Sequence, residues 1–244
     1  MFSFFGINAV DTIKTRWQQV QDRVASAAIR SGRDPNDIRI MAVSKTVPLP
    51  QIIEAYDAGI SLFGENRIQE AQQKFGTHRE SLPASAELHL VGHLQTNKAR
   101  KAHELFDMIH SVDSVNLTET LSRIASESNR RIPILIEVNT SGEDSKFGIS
   151  PDQVLNFTRQ VALFPNLQIQ GFMTVGGWLP DPEQVRPCFQ KLREIRDQVE
   201  SLKIPNVNTE ILSMGMTNDF EVAIEEGSTL VRIGTAIFGA RPDQ

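Results

Sequence analysis

Apolar positions along the chain switch repeatedly between two periods. Over roughly residues 9–31, Ile13, Trp17, Val20, Val24 and Ala27 recur at steps of four and three, which marks one face of a helix. Gly32 stops that pattern and Asp34-Pro35 opens a turn. Short, often β-branched runs then appear at 38–43, 61–63, 88–91, 108–112, 134–138, 169–173, 210–212 and 230–233. Amphipathic stretches lie between them, at 51–58, 68–75, 117–124, 154–163, 185–199 and 222–226.

Strand followed by helix, repeated without consecutive hairpins, predicts parallel strands joined by helical crossovers. Eight strand candidates are the number that closes a (β/α)8 TIM-type barrel. The runs at 61–63 and 210–212 are weak, so an open doubly wound sheet is the alternative; no Gly-x-Gly-x-x-Gly turn follows the first strand to support its dinucleotide-binding form. The expected architecture is α/β: one barrel domain over residues 1–244, with an extra N-terminal helix. Met1-Phe2-Ser3-Phe4-Phe5-Gly6 is apolar but short and lacks a basic lead-in, so residues 1–8 read as a flexible arm rather than a signal or a membrane span.

Composition narrows the function classes. With 244 residues, 40% of them hydrophobic, the chain can build a substantial core. A net charge of -5 argues against general binding to nucleic acid or anionic membranes. Cys188 is the single cysteine, which rules out an internal disulfide and fits a reducing cytoplasm.

In a barrel the chemistry collects at the C-terminal ends of the strands. Lys45 follows the first run, where apolar barrel layers would lower its pKa and suit it to imine formation. A solvated lysine is the bland alternative. Ser213-Met214-Gly215 and Ile233-Gly234-Thr235 follow the last two runs, where barrels often place a phosphate. Gly215 and Gly234 would let backbone N–H groups approach it, and Ser213 and Thr235 would add hydroxyls. Ordinary turn chemistry is the bland alternative there. A lysine opposite a phosphate cup points to a phosphorylated carbonyl: either pyridoxal phosphate or a sugar phosphate attacked by an aldolase-type lysine. Arg232 fits a second phosphate ligand or a partner for a pyridine nitrogen. His89 and His93, four apart on a strand, are about 13 Å apart, too far for one metal ion, so no metal site is expected. Lys98, Arg100 and Lys101 read as a solvated basic face, Asp144 and Lys146 as a surface turn, and Cys188 as a small core residue.

Taken together the motifs resemble the pyridoxal phosphate homeostasis family, also called the YggS or PROSC family. The matching segments are Ala42-Val43-Ser44-Lys45-Thr46, Phe63-Gly64-Glu65-Asn66, Gly92-His93-Leu94-Gln95-Thr96-Asn97-Lys98, Glu137-Val138-Asn139, Gly171-Phe172-Met173-Thr174, Leu212-Ser213-Met214-Gly215-Met216-Thr217 and the run from Val231 through Gly239. The resemblance implies a fold-type III barrel similar to the cofactor domain of bacterial alanine racemase. It implies an imine between Lys45 and pyridoxal 5'-phosphate, with Ser213, Gly215, Gly234 and Thr235 on the phosphate. Arg232 would face the pyridine nitrogen and Asn66 would lie beside the ring. Thr217 stands where serine is commoner in the family, and His93 where proline is frequent.

Three functions compete: a protein that holds and delivers the cofactor, an amino-acid racemase or decarboxylase, and a sugar-phosphate aldolase. Racemisation needs acid–base groups on both faces of the cofactor. With the chain ending at Gln244, no β-domain like that of alanine racemase is expected, and Tyr56, the single tyrosine, falls on the helix after the first strand. The expectation is therefore a carrier active in intracellular vitamin B6 and amino-acid balance, with no catalytic residue assigned. Its expected partners are pyridoxal phosphate and the apo-enzymes that use it, with no nucleic acid or membrane, and its expected state is monomeric.

Overall fold

The computed structural model describes residues 11–76, 79–143, 145–177 and 179–240. Eight parallel strands close in sequence order, β1 (Arg39–Val43), β2 (Leu62–Glu65), β3 (Glu87–Leu90), β4 (Met108–Val112), β5 (Ile132–Glu137), β6 (Leu167–Met173), β7 (Val207–Met216) and β8 (Leu230–Ile233), and β8 pairs with β1. Helix α1 (Ile13–Arg30) precedes the barrel. The helices that follow are α2 (Leu49–Asp57), α3 (Ile68–Phe75), α4 (Ala99–Leu105), α5 (Val115–Ser128), α6 (Val154–Val161), α7 (Arg186–Ser201), α8 (Phe220–Glu225) and α9 (Thr235–Phe238).

The extra helix starts at Ile13 because Thr12 caps it, its hydroxyl accepting the Thr15 N–H at 3.1 Å. Residues 9–10 and the arm expected over residues 1–8 lie outside the described residues. Ile13, Val20, Val24 and Ala27 are buried as the periodicity predicts. α1 lies against α8 and α9, tied by Arg16 Nε to the Ile237 carbonyl at 2.7 Å and by Arg23 to Glu221 at 2.8 Å. The main core fills the space between sheet and helices. Two small clusters, Met41–Leu62–Leu230 and Met108–Leu135–Met173, are separate from it. Register puts Met41 level with Arg232 and Met173 level with Ser213, so these clusters fill the inside of the barrel.

One strand boundary matters for function. The sequence pattern ends the seventh strand at residue 212, but β7 continues to Met216. Ser213 and Gly215 look like turn residues, yet Ser213 finds hydrogen-bond partners inside the barrel and Gly215 is fully packed. A register shift against β8 between Ser213 and Met216 accommodates the extension. Apolar periodicity does not mark α4, α9 or the full length of β7.

Candidate functional site

The strand ends open into a cavity of about 720 Å³. Lys45 from the end of β1, Asn66 from the end of β2, Arg232 from β8, and Gly234 and Thr235 beyond it all border this space. Five of the seven expected site residues are thus brought together. Met216, Thr217 and Asn218 complete the β7 side, and Lys146 and Gly176, from the segments after β5 and β6, border the cavity as well. A smaller chamber of about 230 Å³ adjoins Lys45 on its α2 and α9 side.

Lys45 is presented by a turn of unusual backbone. Thr46 has φ of +64°, a left-handed conformation that costs a β-branched residue free energy. An ionic cluster from α3 holds that turn. Glu70 accepts the Thr46 N–H and pairs with Lys74 at 2.7 Å. Lys74 Nζ also donates to the Ser44 carbonyl at 2.7 Å and to Glu65 Oε1 at 2.9 Å, and Ser44 Oγ donates to that same oxygen at 2.7 Å. Burial lifts the Glu65 carboxyl above its ordinary range, opposed by Lys74. Burial also acts on Glu70, but its bonds to Lys74 and Thr46 prevail and hold it below that range.

The β7–β8 side departs from expectation. Ser213 and Gly215 lie within β7 and are not among the residues that border the cavity: one is held inside the barrel and the other is packed against α8. The Ser213 hydroxyl accepts from Arg232 Nη1 at 2.7 Å and lies 3.1 Å from His110 Nδ1. Gly215 meets a packing requirement against α8. Its φ is +92°, and a Cβ there would lie 2.5 Å from Ala223 Cβ and 2.9 Å from Phe220 Cα. The donors that do face the cavity here are those of Thr217, Gly234 and Thr235. Thr217 Oγ1 accepts the Gly234 N–H at a long 3.4 Å. Asp219 closes the loop by accepting the Met216 N–H at 2.5 Å, and burial raises its pKa.

Arg232 is 5% exposed and is held by the Ser213 carbonyl at 2.6 Å and the Thr174 carbonyl at 2.7 Å. Burial pulls its pKa down to about 10, with Asp219 and Glu137 opposing, so it stays charged at neutral pH. Glu137, at the end of β5, is pushed up to about 8 by burial and by Asp113, and its Oε2 has no hydrogen-bond partner among the described residues. At neutral pH it is mostly a neutral acid. Sequence reasoning assigned no role to it or to His110, and weighed His89 only as a metal ligand. A polar side chain at an inward position of an apolar run was the available signal.

Other candidates take different places. His93 stacks on Phe147 with ring centroids 3.8 Å apart and lies 3.5 Å from the Asp113 carboxylate. Among the described residues no group of three or more His, Cys, Asp or Glu could hold a metal ion. Lys146 was expected on a surface turn. Instead it borders the cavity, bonded to Glu143 at 2.7 Å and to the Gly176 carbonyl at 3.1 Å, while Asp144 lies outside the described residues. Tyr56 bonds Ser85 on the outer side of α2, and Cys188 packs half-buried on the core. No helix among the described residues is long and apolar enough to cross a membrane.

Comparison with known proteins gives the same outline. Residues 10–242 match the family model described as alanine racemase, N-terminal domain. A curated protein of Aquifex aeolicus, named pyridoxal phosphate homeostasis protein, is 41% identical over 93% of this chain and 97% of its own length. The crystal structure of an unknown protein from Bifidobacterium adolescentis superposes with a TM-score of 0.84 at 38% identity, covering 92% of this chain and 94% of that one. PipY of Synechococcus elongatus, solved with PLP bound, has a TM-score of 0.77 at 37% identity, covering 91% of this chain and all of its own.

Proposed function

This chain belongs to the pyridoxal phosphate homeostasis protein family, and from that premise we propose that it binds pyridoxal 5'-phosphate and takes part in its homeostasis in the cytoplasm. One observation carries the reading: a single cavity gathers a lysine amine, a buried guanidinium and a group of amide and hydroxyl donors. That donor set fits the cofactor, which presents an aldehyde, a pyridine nitrogen and a phosphate. When bound, pyridoxal phosphate supplies a carbonyl that captures amines and a ring that can accept electrons.

In this reading Lys45 holds the cofactor through its Nζ, and Asn66 lies beside the ring. Thr217, Gly234 and Thr235 hold the phosphate, taking the place first expected of Ser213 and Gly215. Arg232 donates to the pyridine nitrogen. A charged donor there disfavours ring protonation and makes the electron sink shallower. The role proposed is holding and delivery to apo-enzymes by a single chain, not efficient turnover.

Absorbance of the purified, loaded protein, followed by borohydride reduction and peptide mapping, tests this. The adduct is expected on Lys45 and absent from Lys45→Ala. An adduct mapping to Lys98 or Lys146 refutes the assignment. Thr217→Ala should weaken pyridoxal phosphate roughly ten- to hundredfold, and unphosphorylated pyridoxal far less. Equal weakening of both would put the phosphate elsewhere.

A further inference from the structure

Five side chains form an unbroken hydrogen-bond path inside the barrel, from its N-terminal rim to the cavity. Glu87, half-exposed at the start of β3, lies with its Oε2 at 3.2 Å from His89 Nε2. His89 Nδ1 lies 3.0 Å from His110 Nε2, and His110 Nδ1 lies 3.1 Å from Ser213 Oγ. Arg232 Nη1 donates to that hydroxyl at 2.7 Å. His89, His110 and Ser213 are each no more than 1% exposed.

Proton positions along this path follow from its two ends. The guanidinium can only donate, so Ser213 Oγ accepts from it, and the serine hydrogen is left to donate to His110 Nδ1. From the other end, the Glu87 carboxylate can only accept. Its bond to His89, and its second oxygen's pairing with Arg39 at 2.7 Å, keep it ionised, at about 2. His89 must therefore carry its proton on Nε2 and accept at Nδ1. His110 then donates from Nε2 and accepts at Nδ1. Both ends dictate one direction. Burial favours the neutral ring in both histidines, which one proton per ring requires.

We propose that Glu87, His89, His110 and Ser213 are positioning residues for Arg232: a directed relay of hydrogen bonds that fixes the guanidinium at the cavity floor from the opposite end of the barrel. Backbone carbonyls hold both nitrogens, Thr174 on Nη2 at 2.7 Å and Ser213 on Nη1 at 2.6 Å; the relay adds the second acceptor on Nη1 and so sharpens the plane of the group. The importance of that plane for the pyridine nitrogen rests on the function proposed above. The relay itself does not.

Nitrogen-15 NMR of the protein without added pyridoxal phosphate tests the direction. His89 and His110 should both appear as neutral Nε2–H tautomers, unchanged between about pH 5.5 and 8.5. An Nδ1–H tautomer or protonation of His110 in that range overturns the relay. Positioning is read from proton exchange at the Arg232 guanidinium, which should quicken roughly ten- to hundredfold in Ser213→Ala. His110→Gln, which cannot reach both neighbours, should show the same direction. Unchanged exchange in both variants overturns the positioning role. In protein loaded with pyridoxal phosphate, Ser213→Ala should shift the absorbance of the bound chromophore without removing it. If wild-type protein takes up no chromophore, the function reading fails, and the NMR measurements still decide the relay.

Discussion

Lys45 and Arg232 face one cavity but are held by different physics. The lysine stands at the solvent side on a turn whose backbone is left-handed at Thr46, and charges hold that turn: Lys74 between Glu65 and Glu70. The arginine lies within the barrel and is held by two carbonyls, a hydroxyl and two imidazoles behind it, with no carboxylate in direct contact among the described residues. A charged partner inside the barrel would add a second desolvation cost to that of the guanidinium, whereas neutral acceptors satisfy its donors without one. At the edge, an ion cluster keeps part of its hydration and can be built from long side chains. Removing a contact of the lysine at the edge should therefore have a pH-dependent effect, and removing a contact of the arginine at the floor should not.

The largest effect expected is from Lys74→Met. It leaves Glu65, with a fully buried side chain, without its counter-charge, and breaking a buried pair in this way costs about 3–5 kcal/mol. Glu65 can escape by taking a proton, since burial already raises its pKa. The loss measured by urea unfolding should thus be greatest near pH 8 and shrink toward pH 5. Ser213→Ala removes one acceptor of Arg232 and the donor to His110, costing about 1–3 kcal/mol with little change over the same range. Similar pH dependence in both variants would erase the contrast between edge and floor.

The same contrast separates what could be read in the sequence from what could not. Lys45, Arg232, Gly234 and Thr235 follow or end strands whose apolar runs are plain, and Asn66 follows the weaker run at 61–63, so counting strands to eight was enough to place them together. Ser213 and Gly215 were misplaced because serine and glycine are also turn residues, and only a partner across the barrel makes them strand. His110 lies 103 positions before Ser213, and their contact depends on closure of the whole sheet. Local spacing carries no trace of it. The clamp on Lys45 was hidden similarly: Glu70 and Lys74 are an ordinary i,i+4 helical pair until β1 and α3 are seen side by side.

A second effect concerns Glu137, which sits between the two regions. Its folded pKa, about 8, is above that of the unfolded chain. A raised carboxyl contributes stability that is fully present below about pH 4.5 and lost as pH rises through about 8, at no more than about 1.4 kcal/mol per pH unit. Glu65 adds to this slope in the same sense. His89 and His110, held neutral, contribute in the opposite sense: their stability is present above about pH 6.5 and lost as pH falls. Glu137→Gln should flatten the decline in unfolding free energy between about pH 4.5 and 8 and leave the limb below that range unchanged. An unaltered slope between those values would mean that Glu137 ionises normally in the folded protein.

The smallest effect expected is the most direct test of strain at the edge. Thr46→Gly removes a left-handed penalty of about 1–2 kcal/mol. Against that, glycine costs about 0.5–1 kcal/mol of extra unfolded-chain entropy. The variant also loses the Thr46 hydroxyl's bond to the Lys45 carbonyl at 2.6 Å, which at an exposed site is worth about 0.5 kcal/mol. The sum is close to zero and decides nothing alone. Thr46→Ala supplies the reference, since it loses the same bond and keeps a Cβ in the left-handed conformation. Glycine should therefore exceed alanine in stability by about 1 kcal/mol, against the usual advantage of alanine elsewhere in a chain. Glu70→Gln should reduce that margin, because a weaker hold on the Thr46 N–H lets the alanine variant relax out of the left-handed region. If alanine equals or exceeds glycine, the turn carrying Lys45 stores no strain. The Lys74 cluster would then order the lysine without opposing a backbone penalty.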